Sequence, residues 1–447
     1  FYMRKVSLVI KMTKKAAFYT LGCKVNQYET EAVMDIFREN NYEIVDFSKK
    51  ADIYVVNSCT VTNEAARKTR QIARRAKRRS EDSIVAIVGC YTQAFPDEVR
   101  DIDEIDFVMG SNNKAEILQK AEKMLSGEEI ESDIREFKEL KDYEDLEIKS
   151  LSNRTRANIK IEDGCNQFCS YCIIPYARGP VRSRDPEEII SEVKRLSSQG
   201  VKEIVLTGTH LSAYGSDKNN PKALTELLKR LTKVDNLQRV RLSSVEGTDV
   251  DDELLDLIAE NDTFCPHLHL PLQSGSNRIL KAMRRPYTVE EFKELVSKVR
   301  SRMPDAAITT DIIVGFPGEN EESFEKTMEV VKEIAFSKVH VFPYSAREGT
   351  PAYDMEQING NIIKDYSKRL RILNEGLMLN YQEKFIGETK EVLIEEERDH
   401  QTDLLTGYTD NYLKVLVKGA DKLKNELVKV QLKESVDPSH IKGKLVD

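Results

Sequence analysis

The sequence predicts an α/β protein built from three parts, and two patterns carry this prediction. Short apolar runs alternate with amphipathic helical stretches over most of the chain, as in parallel sheets flanked by helices. After Gly387 the pattern changes to five short alternating strands, which suits a small β-barrel. At 447 residues the chain is also too long for one domain. We therefore expect an N-terminal parallel α/β domain, a central open barrel of six β/α units, (β/α)6, and a C-terminal small β-barrel.

The boundaries between these parts follow changes in composition. We place the N-terminal domain at residues 13–126, a linker at 127–150, the central barrel at 151–383 and the C-terminal barrel at 384–447. Residues 128–147 hold ten acidic side chains and few apolar ones, which predicts an exposed connection. Residues 1–11, which precede Met12, are excluded from the fold prediction.

Three cysteines stand just beyond three predicted strands of the N-terminal domain. Strands are expected at 16–20, 53–56, 84–88 and 107–109, and Cys23, Cys59 and Cys90 follow the first three. Ligands collect outside the carboxyl ends of the strands in open α/β sheets, so the three thiols are expected to meet. Buried cysteine is also a common small apolar residue, which would explain any one of them. Their shared position at one edge favours a metal cluster.

A second cysteine triad, Cys165, Cys169 and Cys172, lies on one short loop after a predicted strand at 156–162. A structural zinc ion needs four ligands, and no other Cys or His lies within thirty residues of this loop. A 4Fe-4S cluster held by three cysteines leaves one iron free to bind a substrate or cofactor, which agrees with the three cysteines found here. The spacing CxxxCxxC with an aromatic residue, Tyr171, before the last cysteine is typical of radical S-adenosylmethionine (SAM) enzymes. Zinc and plain buried thiols are the alternatives.

The central barrel is predicted from strands that alternate with helices. Further strands are expected at 203–209, 239–245, 267–272, 308–314 and 338–343, and helices at 186–199, 321–334 and 361–384. Barrel chemistry is located at the carboxyl ends of the strands. Polar residues and glycines cluster there, and we select Gly208, Ser244, Glu246 and Gln273 as candidate cofactor contacts. Each is also compatible with an ordinary strand-to-helix turn.

The remaining titratable candidates of the barrel are four histidines and one cysteine. His210, His267, His269 and His340 fall at or near its strands. A catalytic histidine is one interpretation, and a structural histidine with satisfied hydrogen bonds is the other. Cys265 has no partner at metal-ligand spacing and is interpreted as a plain thiol.

A basic helix stands out in an acidic chain. The net charge is -8, so any nucleic-acid binding must come from a local patch. Residues 64–80 carry eight Lys or Arg against one Glu, and a phosphate backbone is a natural partner for such a face. A merely solvated helix is the alternative. The candidate RNA contacts in this helix are Arg67, Lys68, Arg70, Arg74, Arg75 and Arg78.

The C-terminal part adds two aromatic candidates. Its strands are expected at 391–394, 404–408, 412–417, 426–432 and 443–446, which matches an oligonucleotide-binding (OB-like) barrel in size. Tyr408 and Tyr412 are interleaved with Asn411 and Lys414, as in surfaces that stack RNA bases. The same residues are also compatible with core or solubility roles.

The chain shows no pattern of a membrane protein. Apolar runs stay below the roughly 18 residues that a membrane span needs, and the first residues lack a signal-peptide pattern. We expect no membrane partner and a cytoplasmic protein, whose reduced cysteines are available to iron.

Taken together, the motifs resemble those of the radical SAM methylthiotransferases over nearly the whole chain. The stretches that carry this resemblance are TLGCKVNQYETE, VVNSCTVT, GCYTQ, IEDGCNQFCSYCIIPYARGPVRSR, HLPLQSGS, DIIVGFPGE, HVFPYSAREGTPA and GYTDNY. Within the family, the chain is most similar to the members that act on N6-threonylcarbamoyladenosine in tRNA. The resemblance implies an N-terminal methylthiotransferase domain, a radical SAM barrel and a C-terminal TRAM domain that holds tRNA.

The resemblance also implies cofactors and roles. Cys165, Cys169 and Cys172 would hold the 4Fe-4S cluster that binds SAM and cleaves it to a radical. The N-terminal triad would hold an auxiliary 4Fe-4S cluster that carries the sulfur. Tyr171 would lie by the adenine of SAM, and Ser244 and Glu246 would contact its polar parts. An external electron donor is required.

Three other functions stay open at this point. The methylthio group could go to isopentenyladenosine in tRNA, or to an aspartate of a ribosomal protein. From another class, the chain could be an iron-sulfur RNA-binding or electron-transfer protein without turnover. The SAM-type cysteine spacing argues against this last function, and the basic helix favours RNA over protein as the substrate.

Overall fold

The computed structural model describes residues 13–136, 139–149 and 155–446, so the excluded residues 1–11 lie outside the described part. These residues form two compact units. The first contains the described residues up to 60 and from 64 to 136, and the second contains residues 61–63 and the described residues after 136.

The first unit is built on a five-stranded parallel sheet with the order β2-β1-β3-β4-β5. Its strands are β1 Lys15–Thr20, β2 Glu43–Val45, β3 Ile53–Ser58, β4 Ile84–Gly89 and β5 Phe107–Val108. Its helices are α1 Lys24–Glu39, α2 Asn63–Arg79, α3 Cys90–Ala94, α4 Pro96–Arg100 and α5 Ile117–Leu125. All six residues of β3 and of β4 are buried, because helices cover both faces of the sheet. The predicted parallel α/β domain is confirmed; only the three-residue strand β2 was not predicted.

The central part of the second unit is the predicted open barrel of six parallel strands. These are β6 Arg156–Lys160, β9 Glu203–Thr207, β10 Arg239–Leu242, β11 His267–His269, β12 Ala307–Val314 and β13 Lys338–Pro343. They form two three-stranded sheets, β6-β9-β10 and β11-β12-β13, which bridges such as Ser244–His269 connect. A short antiparallel hairpin of β7 Glu162–Asp163 and β8 Arg182–Ser183 flanks the cysteine loop.

Helices connect the barrel strands. They are α6 Ile174–Arg178, α7 Pro186–Ser198, α8 Ala223–Leu231, α9 Asp252–Ala259, α10 Asn277–Ala282, α11 Val289–Arg302, α12 Glu321–Ile334 and α13 Gly360–Glu383. The sequence specifies several of their starts. Pro186 is the first residue of α7 and the Asp185 side chain accepts from the Glu187 N–H, while Thr288 and Glu291 form a capping box at α11.

The acidic segment before the barrel is not simply exposed. Leu140, Leu146 and Ile148 are buried, and the Ile148 N–H donates to the buried carboxylate of Glu192 on α7. The prediction of an exposed connection over residues 128–147 is therefore wrong for Leu140 and Leu146. Composition was misleading here, because a few apolar side chains among many charged ones are enough to pack a segment against the protein.

The C-terminal part is a closed five-stranded barrel with the order β14-β15-β16-β18-β17. The strands are β14 Thr389–Arg398, β15 Leu405–Thr409, β16 Lys414–Val417, β17 Leu427–Asp437 and β18 His440–Leu445. All five predicted strands are present. Among the described helices, none is long and apolar enough to cross a membrane.

Candidate functional site

The N-terminal cysteines follow three neighbouring parallel strands. Cys23 comes three residues after β1, and Cys59 and Cys90 come directly after β3 and β4. The strands are in register, with Thr20 opposite Asn57 and Ser58 opposite Gly89. A Cβ atom added to Gly22 would lie 2.9 Å from the Cys59 sulfur, so the Cys59 thiol packs against the turn that leads into Cys23. The structure therefore brings this triad to one sheet edge.

Two buried asparagines tie the cysteine loops together. Asn26 donates from Nδ2 to the carbonyl oxygens of Leu21 at 2.8 Å and Ser58 at 3.0 Å. Asn57 donates in turn to the Asn26 carbonyl at 3.0 Å. The bonds to Ser58 and from Asn57 join α1 to the end of β3, so the loops that carry Cys23 and Cys59 keep a fixed spacing. Sequence reasoning missed both asparagines, although they stand within three residues of a triad cysteine.

A serine hydroxyl makes the matching link to the third loop. Ser58 Oγ donates to the Val88 carbonyl at 2.6 Å and accepts from the Tyr91 N–H at 3.2 Å. Gly89 has φ = 103°, and a Cβ atom there would lie 2.5 Å from Asn57 Oδ1, so only glycine allows this approach. The three thiols thus stand on loops that side-chain hydrogen bonds connect to one another.

The second triad sits on a loop that the barrel holds at several points. The Cys165 N–H donates to the Gly179 carbonyl and the Cys172 N–H to the Cys169 carbonyl, each at 3.0 Å. Ser170 donates from Oγ to the Ala282 carbonyl at 2.7 Å. These bonds fix the loop at its start, its middle and its end.

The entry to the loop depends on glycine and on a buried ion pair. Gly164 has φ = 93°, and a Cβ atom there would lie 1.9 Å from the Pro180 carbonyl oxygen. Next to it, Asp163 accepts from Arg178 at 2.9 and 3.0 Å, and both side chains are almost fully buried. Thr209 also donates to Asp163, at 3.0 Å. A buried pair with several hydrogen bonds holds one geometry well, since breaking it leaves an uncompensated charge.

Arg285 connects the cysteine loop to a predicted cofactor contact. It donates from Nη1 to the Cys169 sulfur at 3.2 Å and pairs through Nη2 with Glu246 Oε2 at 2.5 Å. Its Nε donates to the Tyr287 hydroxyl at 3.0 Å. Glu246 was predicted and Arg285 was not, because 116 residues separate Arg285 from Cys169 in the sequence.

The other predicted cofactor contacts lie at the ends of the barrel strands. Gly208 stands against Glu162, whose carboxylate oxygen would be 2.6 Å from a Cβ atom on the glycine. Burial raises the pKa of Glu162 to about 8, although the His210 N–H donates to it. Gln273 has φ = 68° and donates its N–H to the Asp311 carbonyl at 2.8 Å, and Ser244 bridges to His269. The four residues therefore follow three consecutive strands: Gly208 follows β9, Ser244 and Glu246 follow β10, and Gln273 follows β11.

Tyr171 packs at the same end of the barrel. Its ring meets Phe316 edge-on, with 6.4 Å between the ring centroids. Burial raises the pKa of the Tyr171 phenol, so the ring stays neutral at physiological pH. The cluster around it also contains Met283, Ile279 and Ala352, which gives this side of the rim an apolar wall.

The residues present fit a thiolate-bound cluster with a polar ligand beside it. Burial, with Cys169 adding to it, raises the pKa of the Cys172 thiol to about 12, so a thiolate there needs the positive charge that a metal supplies. Within the described residues, Glu246 Oε1 and Ser243 Oγ are buried without a hydrogen-bond partner. Buried polar atoms without partners are rare in proteins, so these two are candidates to contact a bound ligand.

The histidines divide into separate environments. His210 lies with Nδ1 at 3.9 Å from the Cys165 sulfur and Nε2 at 3.1 Å from Asp249 Oδ2. His267 is buried and stacks on Tyr412, with 4.5 Å between the ring centroids. His269 and His340 lie near Asp311. Cys265 is buried, and burial raises the pKa of its thiol to about 12, as expected of a plain thiol.

The candidate RNA contacts differ in their surroundings. The apolar residues of α2 are buried, and its exposed basic side chains include Arg74, Arg75 and Arg78. Acidic neighbours pair with some of the others: Arg67 with Glu64 at 2.6 Å and Arg70 with Glu98 at 3.7 Å. Arg74 lies 3.4 Å from Glu104.

Tyr408 and Tyr412 face the central barrel. The Arg156 guanidinium lies over the Tyr408 ring at 4.5 Å, and that of Arg241 over the Tyr412 ring at 4.6 Å. The two tyrosines also stack on each other, with centroids 5.1 Å apart. These contacts give both rings a packing role, and their contact with RNA stays a prediction.

Family models match three successive segments of the chain. Residues 15–110 match the uncharacterized protein family UPF0004, residues 159–331 the radical SAM superfamily, and residues 383–437 the TRAM domain. The three segments follow the order of the three predicted parts, whose exact boundaries stay predictions.

Curated relatives match nearly the full length. Threonylcarbamoyladenosine tRNA methylthiotransferase MtaB of Bacillus subtilis (strain 168) is 43% identical over 93% of this chain and 93% of its own length. The protein of the same name from Aquifex aeolicus (strain VF5) is 41% identical over 91% of this chain and 97% of its own. The tRNA-2-methylthio-N(6)-dimethylallyladenosine synthase of Desulforamulus reducens is 32% identical over 99% of this chain and 98% of its own.

A solved structure supports the fold. The radical S-adenosylmethionine methyltransferase TsrM from Kitasatospora setae superposes with a TM-score of 0.59 at 16% identity, covering 76% of this chain and 77% of its own. At this identity the likeness concerns the fold alone.

Proposed function

The chain belongs to the radical SAM methylthiotransferases, and from this premise we propose that it adds a 2-methylthio group to N6-threonylcarbamoyladenosine next to the anticodon of tRNA. The observation that carries the proposal is the pair of cysteine triads, one at the ends of β1, β3 and β4 and one on the loop after β7. The relatives that carry the threonylcarbamoyladenosine name are the more similar ones, at 37% to 43% identity.

We assign one 4Fe-4S cluster to each triad. Cys165, Cys169 and Cys172 would hold the cluster that binds SAM, and Cys23, Cys59 and Cys90 the auxiliary one. When bound, the first cluster supplies the electron that cleaves SAM to the 5′-deoxyadenosyl radical, and the auxiliary cluster supplies the sulfur. Radical chemistry is needed because carbon 2 of an adenine offers neither a leaving group nor an acidic proton.

The protein's own part is to position these groups. The buried pair of Asp163 and Arg178 keeps the SAM-side cysteine loop in place, and Arg285 sets Glu246 against that loop. Glu246 Oε1 and Ser243 Oγ are available to polar groups of SAM, and the wall around Tyr171 suits its adenine. In the N-terminal unit, Asn26, Asn57 and Ser58 keep the three cysteine loops at a constant spacing.

Two surfaces are proposed to bind tRNA. The exposed arginines of α2 provide positive charge, and the TRAM barrel adds a fold of the type that holds oligonucleotides. The reducing equivalents would come from an external electron donor, and we place the protein in the cytoplasm with its tRNA substrate.

Mass spectrometry of tRNA nucleosides tests the proposal. A strain that lacks this protein is expected to lose 2-methylthio-N6-threonylcarbamoyladenosine and to accumulate its unthiolated precursor, and a plasmid copy should restore the product. The purified enzyme should thiolate tRNA that carries the threonylcarbamoyl group. Product only on isopentenyl-modified tRNA would contradict the substrate assignment, and persistence of all 2-methylthio nucleosides in the deletion strain would contradict tRNA as the substrate.

A further inference from the structure

We propose that His269, Asp311 and His340 form a third metal site, which binds one divalent transition-metal ion within the barrel wall. The three residues belong to the neighbouring strands β11, β12 and β13. In the parallel register, Asp311 is opposite His340, and His269 is opposite Thr309, two residues before Asp311. The proposed ligands include no member of either cysteine triad.

The ligand atoms are already close together. One nitrogen of each histidine and one oxygen of Asp311 all lie within 4.8 Å of one another, and His269 Nε2 lies 3.3 Å from Asp311 Oδ1. The imidazole rings of His269 and His340 are tilted by 60°, with 5.6 Å between their centroids, so they are not stacked flat on each other. Small shifts of the side chains would bring all three to metal-ligand distances of about 2.0 to 2.2 Å.

His269 has the supporting contact that metal-binding histidines usually have. Its Nδ1 lies 2.9 Å from Thr309 Oγ1, which leaves Nε2 directed toward Asp311. A hydrogen bond at one ring nitrogen fixes the orientation of the ring. A metal ion between Nε2 and the carboxylate would bind both groups at once.

Charge and burial fit an ion of charge +2. Two neutral imidazoles and one carboxylate offer a net charge of -1, and the side chains of His269 and Asp311 are 16% and 26% exposed. The site is thus shielded but still accessible. Two nitrogen ligands and one oxygen ligand favour Zn²⁺, Fe²⁺ or Mn²⁺ over Mg²⁺ and Ca²⁺, which prefer oxygen. Three protein ligands leave further coordination positions for water or another small ligand.

The backbone links this site to the predicted cofactor rim. The Gln273 N–H donates to the Asp311 carbonyl at 2.8 Å, and Ser244 bridges to His269 across the seam between the two barrel sheets. An ion that joins β11, β12 and β13 would therefore stiffen β11, which leads into Gln273 and whose residue His269 bridges to Ser244. His269 and His340, left open between catalytic and structural roles from the sequence, become metal ligands in this proposal.

Electron paramagnetic resonance (EPR) with Mn²⁺ as the probe tests the proposal on the holoprotein with both clusters reconstituted. Mn²⁺ has little affinity for thiolates, so loss of the free six-line signal counts ions bound by nitrogen and oxygen ligands. We expect one tightly bound Mn²⁺ per chain. The variants His269→Gln, Asp311→Asn and His340→Gln should each weaken this binding at least tenfold, while Asp311→Glu, which keeps a carboxylate, should retain part of it.

The exposed His400 provides the matched control, and His400→Gln should bind Mn²⁺ as the parent does. Cluster absorbance is recorded for each variant to verify folding. The parent protein alone suffices to overturn the proposal: the site is refuted if the parent holds neither a tight Mn²⁺ ion nor, after incubation with Zn²⁺ and removal of the excess, one Zn²⁺ ion per chain, since Mn²⁺ binds such ligands more weakly than Zn²⁺ does. Equal binding in the parent and in the three ligand variants would also refute it.

Discussion

Arg285 donates a hydrogen bond from Nη1 to the sulfur atom of Cys169 over 3.2 Å, while its Nη2 is paired with Glu246. A buried cation therefore stands against a proposed ligand of the SAM-binding cluster. Because reduction adds negative charge to a cluster, a nearby guanidinium stabilises the reduced state.

Replacement of this cation gives the first prediction. Arg285→Met should lower the reduction potential of the barrel cluster and slow reductive SAM cleavage by about tenfold or more, since a hydrogen bond to a charged group contributes about 1.5 to 3 kcal/mol. An EPR-monitored redox titration measures the potential directly. Arg285→Lys keeps the charge, so its reduction potential should lie between those of the parent and Arg285→Met. An unchanged potential in Arg285→Met would limit the residue to a structural role.

The two cysteine triads should separate by function. Replacing Cys23, Cys59 and Cys90 together by Ala should lower iron from about eight to about four per chain and abolish methylthiolation, yet leave 5′-deoxyadenosine formation from SAM. Cys165→Ala should abolish both activities. Cys265→Ala is the matched control, because this buried thiol belongs to neither triad, and it should keep full iron. Full thiolation by the triple variant would remove the auxiliary cluster from the mechanism.

The basic helix α2 is predicted to bind tRNA phosphates. The logarithm of the tRNA association constant K falls linearly with the logarithm of the salt concentration, with a slope of about 0.7 to 0.9 in magnitude for each phosphate contact. Reversing the charge of Arg74, Arg75 and Arg78 should therefore make this slope shallower by about 2 to 3. Filter binding of tRNA at several salt concentrations measures it. Reversal of the exposed Lys229, Lys298 and Lys326 changes the net charge equally and serves as the control. If both triple variants behave alike, α2 is a solvated helix.

Glu319 should make stability depend on pH. Burial raises the pKa of its carboxyl from the ordinary 4.5 to about 7, against an opposing hydrogen bond from the Gly315 N–H. Between these two values the folded protein binds more protons than the unfolded chain, so stability falls as the pH rises and the loss is complete above about pH 7. Glu319→Gln should therefore be more stable than the parent. The gain in unfolding free energy should be small near pH 5 and about 3 kcal/mol above pH 7.

Urea unfolding midpoints of the parent and Glu319→Gln over this pH range measure the gain. Glu322→Gln is the control, since Glu322 is exposed and paired with Lys326 on the helix surface. Its difference from the parent should not grow with pH. A stability difference for Glu319→Gln that stays constant from about pH 5 to pH 8 would show that the carboxyl is not held in its neutral form.

Tyr412 is predicted to stabilise the packing of the TRAM barrel on the central barrel. Tyr412→Ala removes the stack on His267 and the contact with Arg241, and should cost about 2 to 3 kcal/mol of unfolding free energy. Tyr353→Ala, at an exposed tyrosine, should cost far less. Thermal unfolding of both variants tests this. A tRNA-binding defect in Tyr412→Ala without any loss of stability would instead favour direct base contact.

The sequence by itself determined the three-part organisation and both cysteine triads. The parallel strands, the six barrel units and the five TRAM strands follow from local apolar periodicity, which each segment carries independently of its neighbours. The spacing of Cys165, Cys169 and Cys172 places three thiols on one loop in any fold. The ends of β1, β3 and β4 likewise follow from strand boundaries, so the placement of Cys23, Cys59 and Cys90 at one edge of the sheet was predictable from topology. That these three thiols hold a cluster stays a prediction.

Only the tertiary structure decided which distant residues meet. Arg285 reaches Cys169, and His269 reaches Asp311, because the barrel brings strands and loops together that are far apart in the chain. Leu140 is buried within an acidic segment, and Tyr412 is packed under Arg241 rather than left open. No local pattern specifies such pairs. Periodicity indicates which face of a helix or strand is apolar, but it does not indicate which other element covers that face.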